Sequence, residues 1–136
     1  MCKVGDIIYI ENYMSHGCNL SRHSFVVLST EEGKIAGMDY NLVANAMSSI
    51  QDEEQKKKKL AYPGNFLITA NDENVPNGHG KEGYIKSDQF YYFDRDTIEY
   101  KVIGSIVPEI FQLLLDFIEK LEELELITDN LKKAES

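Results

Sequence analysis

The chain has no tryptophan, only three prolines and only two cysteines among its 136 residues. Two cysteines make no disulfide framework, so a packed core must hold the fold together. No run of eighteen apolar residues exists, which excludes a membrane-spanning helix. No secretory pattern opens the chain, so a reducing cytoplasm is the expected compartment. Three histidines (His16, His23, His79) and two cysteines (Cys2, Cys18) show neither CxxC nor HxxxH spacing. No metal site and no cofactor is therefore expected. Internal repeats and low-complexity tracts are also missing. Positive charge is scarce: 14 Lys and Arg stand against 23 Asp and Glu, a formal charge of -9. That excludes a generic surface for nucleic acid or anionic membrane. The deficit is uneven, since residues 107–136 hold eight acids against three lysines. The rest of the chain is closer to neutral and leaves room for a local basic patch.

What the chain does have is strand-forming material. It is 43% apolar, with 8 Tyr and 6 Phe, and its length fits one domain spanning residues 1–136 with a real core. After Gly5-Asp6, residues 7–11 read as a strand. Residues 12–22 read as a long polar loop containing Gly17. Residues 24–29 form a second strand, and the continuous apolar run Phe25-Val26-Val27-Leu28 predicts cover on both faces. A turn at residues 30–34 leads to a third strand over 35–40. Residues 41–50 fit a strand or a short helix, because periodicity does not settle so short an apolar run. Further strands are predicted over 65–69, 89–94 and 97–103, with a loop over 71–83. Pro108 suits a first helical turn. Ile110, Phe111, Leu114, Leu115, Phe117, Ile118, Leu121, Leu124, Leu126 and Ile127 then recur at helical spacing. The expected helix runs over residues 107–129. Six or seven short strands and one long C-terminal α-helix predict a mainly β fold, a small bent β-barrel whose helix either caps it, packs on another chain, or does both along different parts of its length.

The densest set of chemically capable side chains lies between the first two strands: His16, Cys18, Asn19, Ser21, Arg22, His23 and Ser24. A polar segment held by two strands is a common way to build a site, although most such segments are ordinary solvated loops. Lys56-Lys57-Lys58-Lys59 follows Asp52-Glu53-Glu54. It reads either as a solvated helical face with i,i+4 pairs or as a phosphate-contacting patch.

The order of signals carries a resemblance. Val4-Gly5-Asp6-Ile7 opens a strand. Arg22-His23-Ser24 leads into the apolar strand that follows, and Ala46-Met47-Ser48 ends another strand on a hydroxyl residue. Gly83-Tyr84-Ile85-Lys86-Ser87-Asp88 and Ile103-Gly104-Ser105-Ile106 precede the closing helix. This order resembles the PemK/MazF-like family of toxin endoribonucleases over residues 4–121. The resemblance implies an SH3-like barrel, a homodimer, an antitoxin partner, and cleavage of single-stranded RNA without metal or cofactor. It places Arg22 at the family's catalytic arginine, although alignment on the apolar strand puts His23 there, and the proline after the arginine is absent. Ser48 or Ser49 stands where a threonine contacts the scissile phosphate. In that chemistry the 2′-hydroxyl attacks the adjacent phosphate. Arg22 would hold the phosphate oxygens, His23 would act as base or acid, and Ser48 would donate a hydrogen bond. Ser24, Ser49, Lys56, Lys57 and Tyr91 would hold the flanking strand by hydrogen bond, charge and stacking.

Two other classes are weighed beside this. A strand GDIIYI followed by a histidine also looks like the permuted papain-like hydrolases, but those need a cysteine after the histidine, and none follows Cys18. A non-catalytic module binding protein or RNA would suit the acidic balance. Taken singly, His23 reads as a strand histidine, Arg22 as a surface residue and Ser48 as a backbone-satisfying hydroxyl.

Overall fold

Apolar runs and apolar–polar alternation build strands over about half of the described residues. A computed structural model describes residues 2–69, 73–74 and 82–131, without the side chains of Ser21, Arg22, Glu73 and Asn74. In chain order the elements are β1 (Asp6–Ser15), β2 (Cys18–Ser29), β3 (Gly33–Ile35), β4 (Met38–Tyr40), β5 (Leu42–Ser49), α1 (Glu53–Leu60), β6 (Asn65–Ile68), β7 (Glu73–Asn74), β8 (Gly83–Lys86), β9 (Gln89–Phe93), β10 (Tyr100–Ile106), α2 (Pro108–Glu119) and β11 (Glu125–Ile127). No described helix is long and apolar enough to cross a membrane.

Residues 12–22 are not a loop. β1 and β2 continue through them and meet at a two-residue turn, His16-Gly17, with Ser15 opposite Cys18. Both turn residues have positive φ, 52° and 79°. That is the primed hairpin geometry whose twist matches the flanking strands. Glycine adopts it freely, and His16 is held there by side-chain bonds given below. A second such turn, Ala36-Gly37, splits the expected strand over 35–40 into β3 and β4. Residues 42–49 are strand rather than helix: they pair with β2 on one side and with β9 and β8 on the other, which leaves Leu42 through Ala46 buried.

The main sheet runs β11-β9-β5-β2-β1-β10-β7, with β8 pairing β5 and β6 pairing β8. One face carries Ile8, Ile10, Phe25, Val27, Leu42, Ala44, Ala46, Tyr91 and Phe93. Ile127 of β11 and Tyr100 of β10 join the same cluster although several strands separate them in the sheet. The sheet therefore curls around this cluster. At Glu11-Asn12 both side chains are exposed and the burial phase of β1 shifts. Tyr13 and Ser15 thereby turn inward with Ile8 and Ile10. The other face carries Ile7, Val26, Ile68, Ile85 and Ile106, covered by Leu114 of α2.

Two expectations are corrected here. The curled sheet is not a closed barrel, SH3-like or otherwise: its end strands β11 and β7 do not pair with one another. Closure needs a continuous ladder between the ends, and both end strands are only two or three residues long. Nor does a helix span residues 107–129. It covers Pro108–Glu119, and the chain then enters β11, parallel to β9. Continued helix would bring Glu125 round to the buried line of Leu114, about three turns on, and would turn Ile127 toward the acidic side. As strand, Ile127 is 3% exposed and Glu125 faces solvent.

Phe25 stands at the centre of the curled face, edge-on to Tyr13, Tyr91 and Phe93 at 5.0, 5.2 and 5.5 Å. Such pairs add to the area term. Phe25→Ala is expected to destabilise the fold by about 3–5 kcal/mol, read as a lower denaturant midpoint at unchanged slope.

Candidate functional site

β2 and β5 are antiparallel, with Phe25 opposite Ala46 and Ser24 opposite Met47. The next pair outward brings His23 and Ser48 together. His23 Nε2 lies 3.3 Å from Ser48 Oγ. Both residues are half-buried at the rim of the curled face. The His23 ring packs 6.0 Å from Tyr13 and 6.0 Å from Phe25, so the aromatic cluster fixes its plane. On the other side of β5, Ser48 stands opposite Tyr84 of β8. Lys59 Nζ lies 6.0 Å from the Tyr84 ring centroid, the outer range of a cation–π contact. The order outward from His23 is thus imidazole, hydroxyl, the buried ring of Tyr84 and ammonium.

α1 supplies the cation because of how it is capped. Asp52 accepts from Gln55 N at 2.7 Å, Glu53 and Glu54 occupy the first turn, and Lys57, Lys58 and Lys59 occupy the last. This arrangement follows the helix dipole. Lys57 and Lys58 stand one turn beyond Glu53 and Glu54, at i,i+4 spacing on the same helix faces, without closing into an ion pair among the described residues. Lys56 is the exception. Its ammonium meets Glu82 at 2.9 Å, and that hydrogen bond holds its pKa above the ordinary lysine value.

The remaining sequence candidates scatter. Arg22 lies in β2, with its side chain outside the described set. Ser24 faces away from His23, since it stands opposite Met47, which packs on the α2 side of the sheet. Ser49 is exposed at the strand end, with Gln51 Nε2 donating to it at 3.4 Å. Lys57 is exposed on α1. Tyr91, expected to stack on a base, is 3% exposed and belongs to the core.

Sequence reading missed a second polar network. The Ser15 hydroxyl lies 3.0 Å from Tyr91 OH and 3.0 Å from His16 Nδ1, and His16 Nε2 lies 2.7 Å from Glu125 Oε2. Its order is that of a nucleophile relay, but Ser15 is 6% exposed and is already bonded on two sides. Its role is fastening. Asn130 Oδ1 accepts from Met14 N at 2.6 Å and Asn130 Nδ2 donates to Met14 O at 3.0 Å, while Asp129 accepts from Gly17 N at 2.7 Å. The segment after α2 is thereby laced to the β1–β2 hairpin tip. No local sequence signal joins His16 to Glu125 across 109 positions.

Two open surface grooves lie away from His23. One is lined by Glu32, Lys34, Asp39, Tyr40, Asp94 and Asp96, an acidic set that repels phosphate. The other lies along β1 and β10 at Tyr9, Glu11 and Lys101. Among the described residues no group of three His, Cys, Asp or Glu is placed to hold a metal ion. No protein-family model matches the chain, and no curated protein matches it significantly.

Burial pushes the pKa of Tyr13, Tyr91, Tyr92 and Tyr100 above the ordinary 10.0. For Tyr91 the Ser15 hydrogen bond works in the opposite direction. These hydroxyls keep their protons to higher pH when folded than when unfolded, so unfolding releases protons in alkali. Stability is expected to be complete below about pH 10 and to fall as pH rises past it. A pH titration should show tyrosinate absorbance and loss of circular dichroism rising together. Early, separate ionisation of all eight tyrosines would contradict the burial described.

Proposed function

We propose that the His23–Ser48 corner cuts single-stranded RNA by internal transesterification, as a toxin-like endoribonuclease partnered by an antitoxin. The observation that carries this reading is the 3.3 Å approach of His23 Nε2 to Ser48 Oγ, at the rim that Lys59 flanks. The motif order resembling the PemK/MazF-like toxins supports RNA as the phosphodiester and an antitoxin as the partner. The open sheet lends that resemblance no support, so the chemistry rests on the pair itself.

His23 takes the proton of the 2′-hydroxyl at Nε2. The 2′-oxygen bonds to phosphorus and the P–O5′ bond breaks. The leaving oxygen takes a proton from the imidazolium or from water. Ser48 turns its O–H from the imidazole to a non-bridging phosphate oxygen as charge grows there. An imidazole suits this work because its ordinary pKa is about 6.5. A hydroxyl aimed where charge develops is worth more at a half-buried rim than in water. Products would end in a 2′,3′-cyclic phosphate and a 5′-hydroxyl.

A second reading is a non-catalytic binding module. The exposed Leu124 and Leu126 beside edge strand β11 and the acidic balance favour it. Incubation with end-labelled single-stranded RNA separates the two. Cleavage to cyclic-phosphate ends is expected, slowed about 10²-fold or more in His23→Ala and about 10²-fold in Ser48→Ala. RNA bound but left intact by the wild-type protein, beside a control nuclease that cuts, would establish the module. Undiminished cleavage by His23→Ala would remove this corner from the mechanism.

A further inference from the structure

We propose that Tyr62 is a base-stacking platform, which with Lys58 and Lys59 forms a nucleotide subsite on the turn into β6, the second strand over from Ser48. The inference rests on the RNA reading and adds a binding residue to it. Tyr62 is the most exposed of the large hydrophobic side chains among the described residues, at 64%. Its ring packs on no other aromatic ring among the described residues. It nonetheless sits on a firmly held turn. Tyr62 N donates to Lys59 O at 3.3 Å and Asn65 N donates to Tyr62 O at 3.1 Å. Asn65 Nδ2 donates to Lys59 O at 2.7 Å. Pro63 restricts the backbone next to it. Gly64 O then accepts from both the backbone N–H and the hydroxyl of buried Ser87, at 2.8 and 2.6 Å. A tyrosine has few rotatable bonds, so on a fixed turn it meets a ligand at little entropic cost.

The neighbours decide the class of ligand. The last turn of α1 puts Lys57, Lys58 and Lys59 immediately before this turn, with Glu53 and Glu54 one helical turn behind them. Lys59 reaches Tyr84, and Tyr84 stands opposite Ser48 on one side and Leu67 of β6 on the other. The path from Ser48 to β6 is two strand spacings, about 10 Å. Lys86, half-buried, shares the Tyr84 face by alternation along β8. Cations interleaved with an exposed aromatic form the pattern that holds single strands, with charge on the phosphates and a ring under the base. Tyr91, the sequence candidate for stacking, is buried, and Tyr62 takes that role at the surface.

The test is equilibrium binding of a short 2′-O-methyl RNA, which lacks the attacking hydroxyl, by fluorescence anisotropy. Tyr62→Ala is expected to weaken binding roughly 5- to 150-fold, the range for loss of one stacked base. Tyr62→Phe should restore wild-type affinity, because the ring and not the hydroxyl makes the contact. An oligonucleotide with all bases removed should bind wild type and Tyr62→Ala alike. Lys58→Ala and Lys59→Ala should instead lower the salt dependence of binding, each by less than one unit of slope. Equal affinity of wild type and Tyr62→Ala for the intact strand would overturn the subsite, even if the wild-type protein cleaves RNA. An equal loss on the base-free strand would overturn it as well. A catalytic failure of the corner has a different signature: His23→Ala and wild type would cut alike, with the Tyr62 effect on binding intact.

Discussion

The packing of Phe25 against Tyr13, Tyr91 and Phe93 is the contact on which the other features depend. It joins β1, β2 and β9 on one face of the sheet, and the sheet curls because these large rings must meet. A flat sheet would leave Tyr13 at the hairpin end and Tyr91 near the opposite edge in water. Curling removes that surface from solvent at about 25 cal/mol per Å² and adds edge-to-face contacts. The same cluster sets the ring of His23 at its rim. The candidate chemistry is therefore a by-product of core packing, at the point where the aromatic cluster meets water.

The segment after α2 closes the open end of this arrangement. Ile127 and Leu131 are buried, and the polar side chains between and around them bind the backbone of the β1–β2 hairpin tip. Bonds from neutral amide to backbone at a half-buried site are worth about 1 kcal/mol each. The exposed His16–Glu125 pair contributes less. The lacing also explains how His16 tolerates a positive φ: bonds at both of its ring nitrogens offset the backbone cost.

Much of the strand content was legible from apolar runs. Residues 7–10, 25–28 and 89–93 read as strands and are strands. The errors have separate physical causes. The polar stretch from Asn12 to Arg22 reads as a loop, because its ladder hydrogen bonds are made by the backbone, which side-chain polarity does not report. The run from Leu121 to Ile127 keeps an apolar rhythm suited to either period, and Glu125 on the Leu114 line was the available signal that a helix could not continue. Of the site, His23 and Ser48 were both named from sequence. Lys59 was named only as one of four lysines in a charge run, and Tyr84 was given no role, because the β5–β8 register and the α1 turn are what bring them next to Ser48.

The sequence by itself determined that this chain builds a β-rich core without disulfides, where most strands lie, and which polar residues have useful chemistry. Those properties are local, since residue type and spacing decide them. Only the tertiary structure decided that His23 meets Ser48, that Tyr91 is core while Tyr62 is surface, and that the sheet remains open. Each depends on strand register and curvature, which are fixed by contacts between residues far apart in the chain. A one-residue change of register would turn His23 to the α2 face and separate it from Ser48.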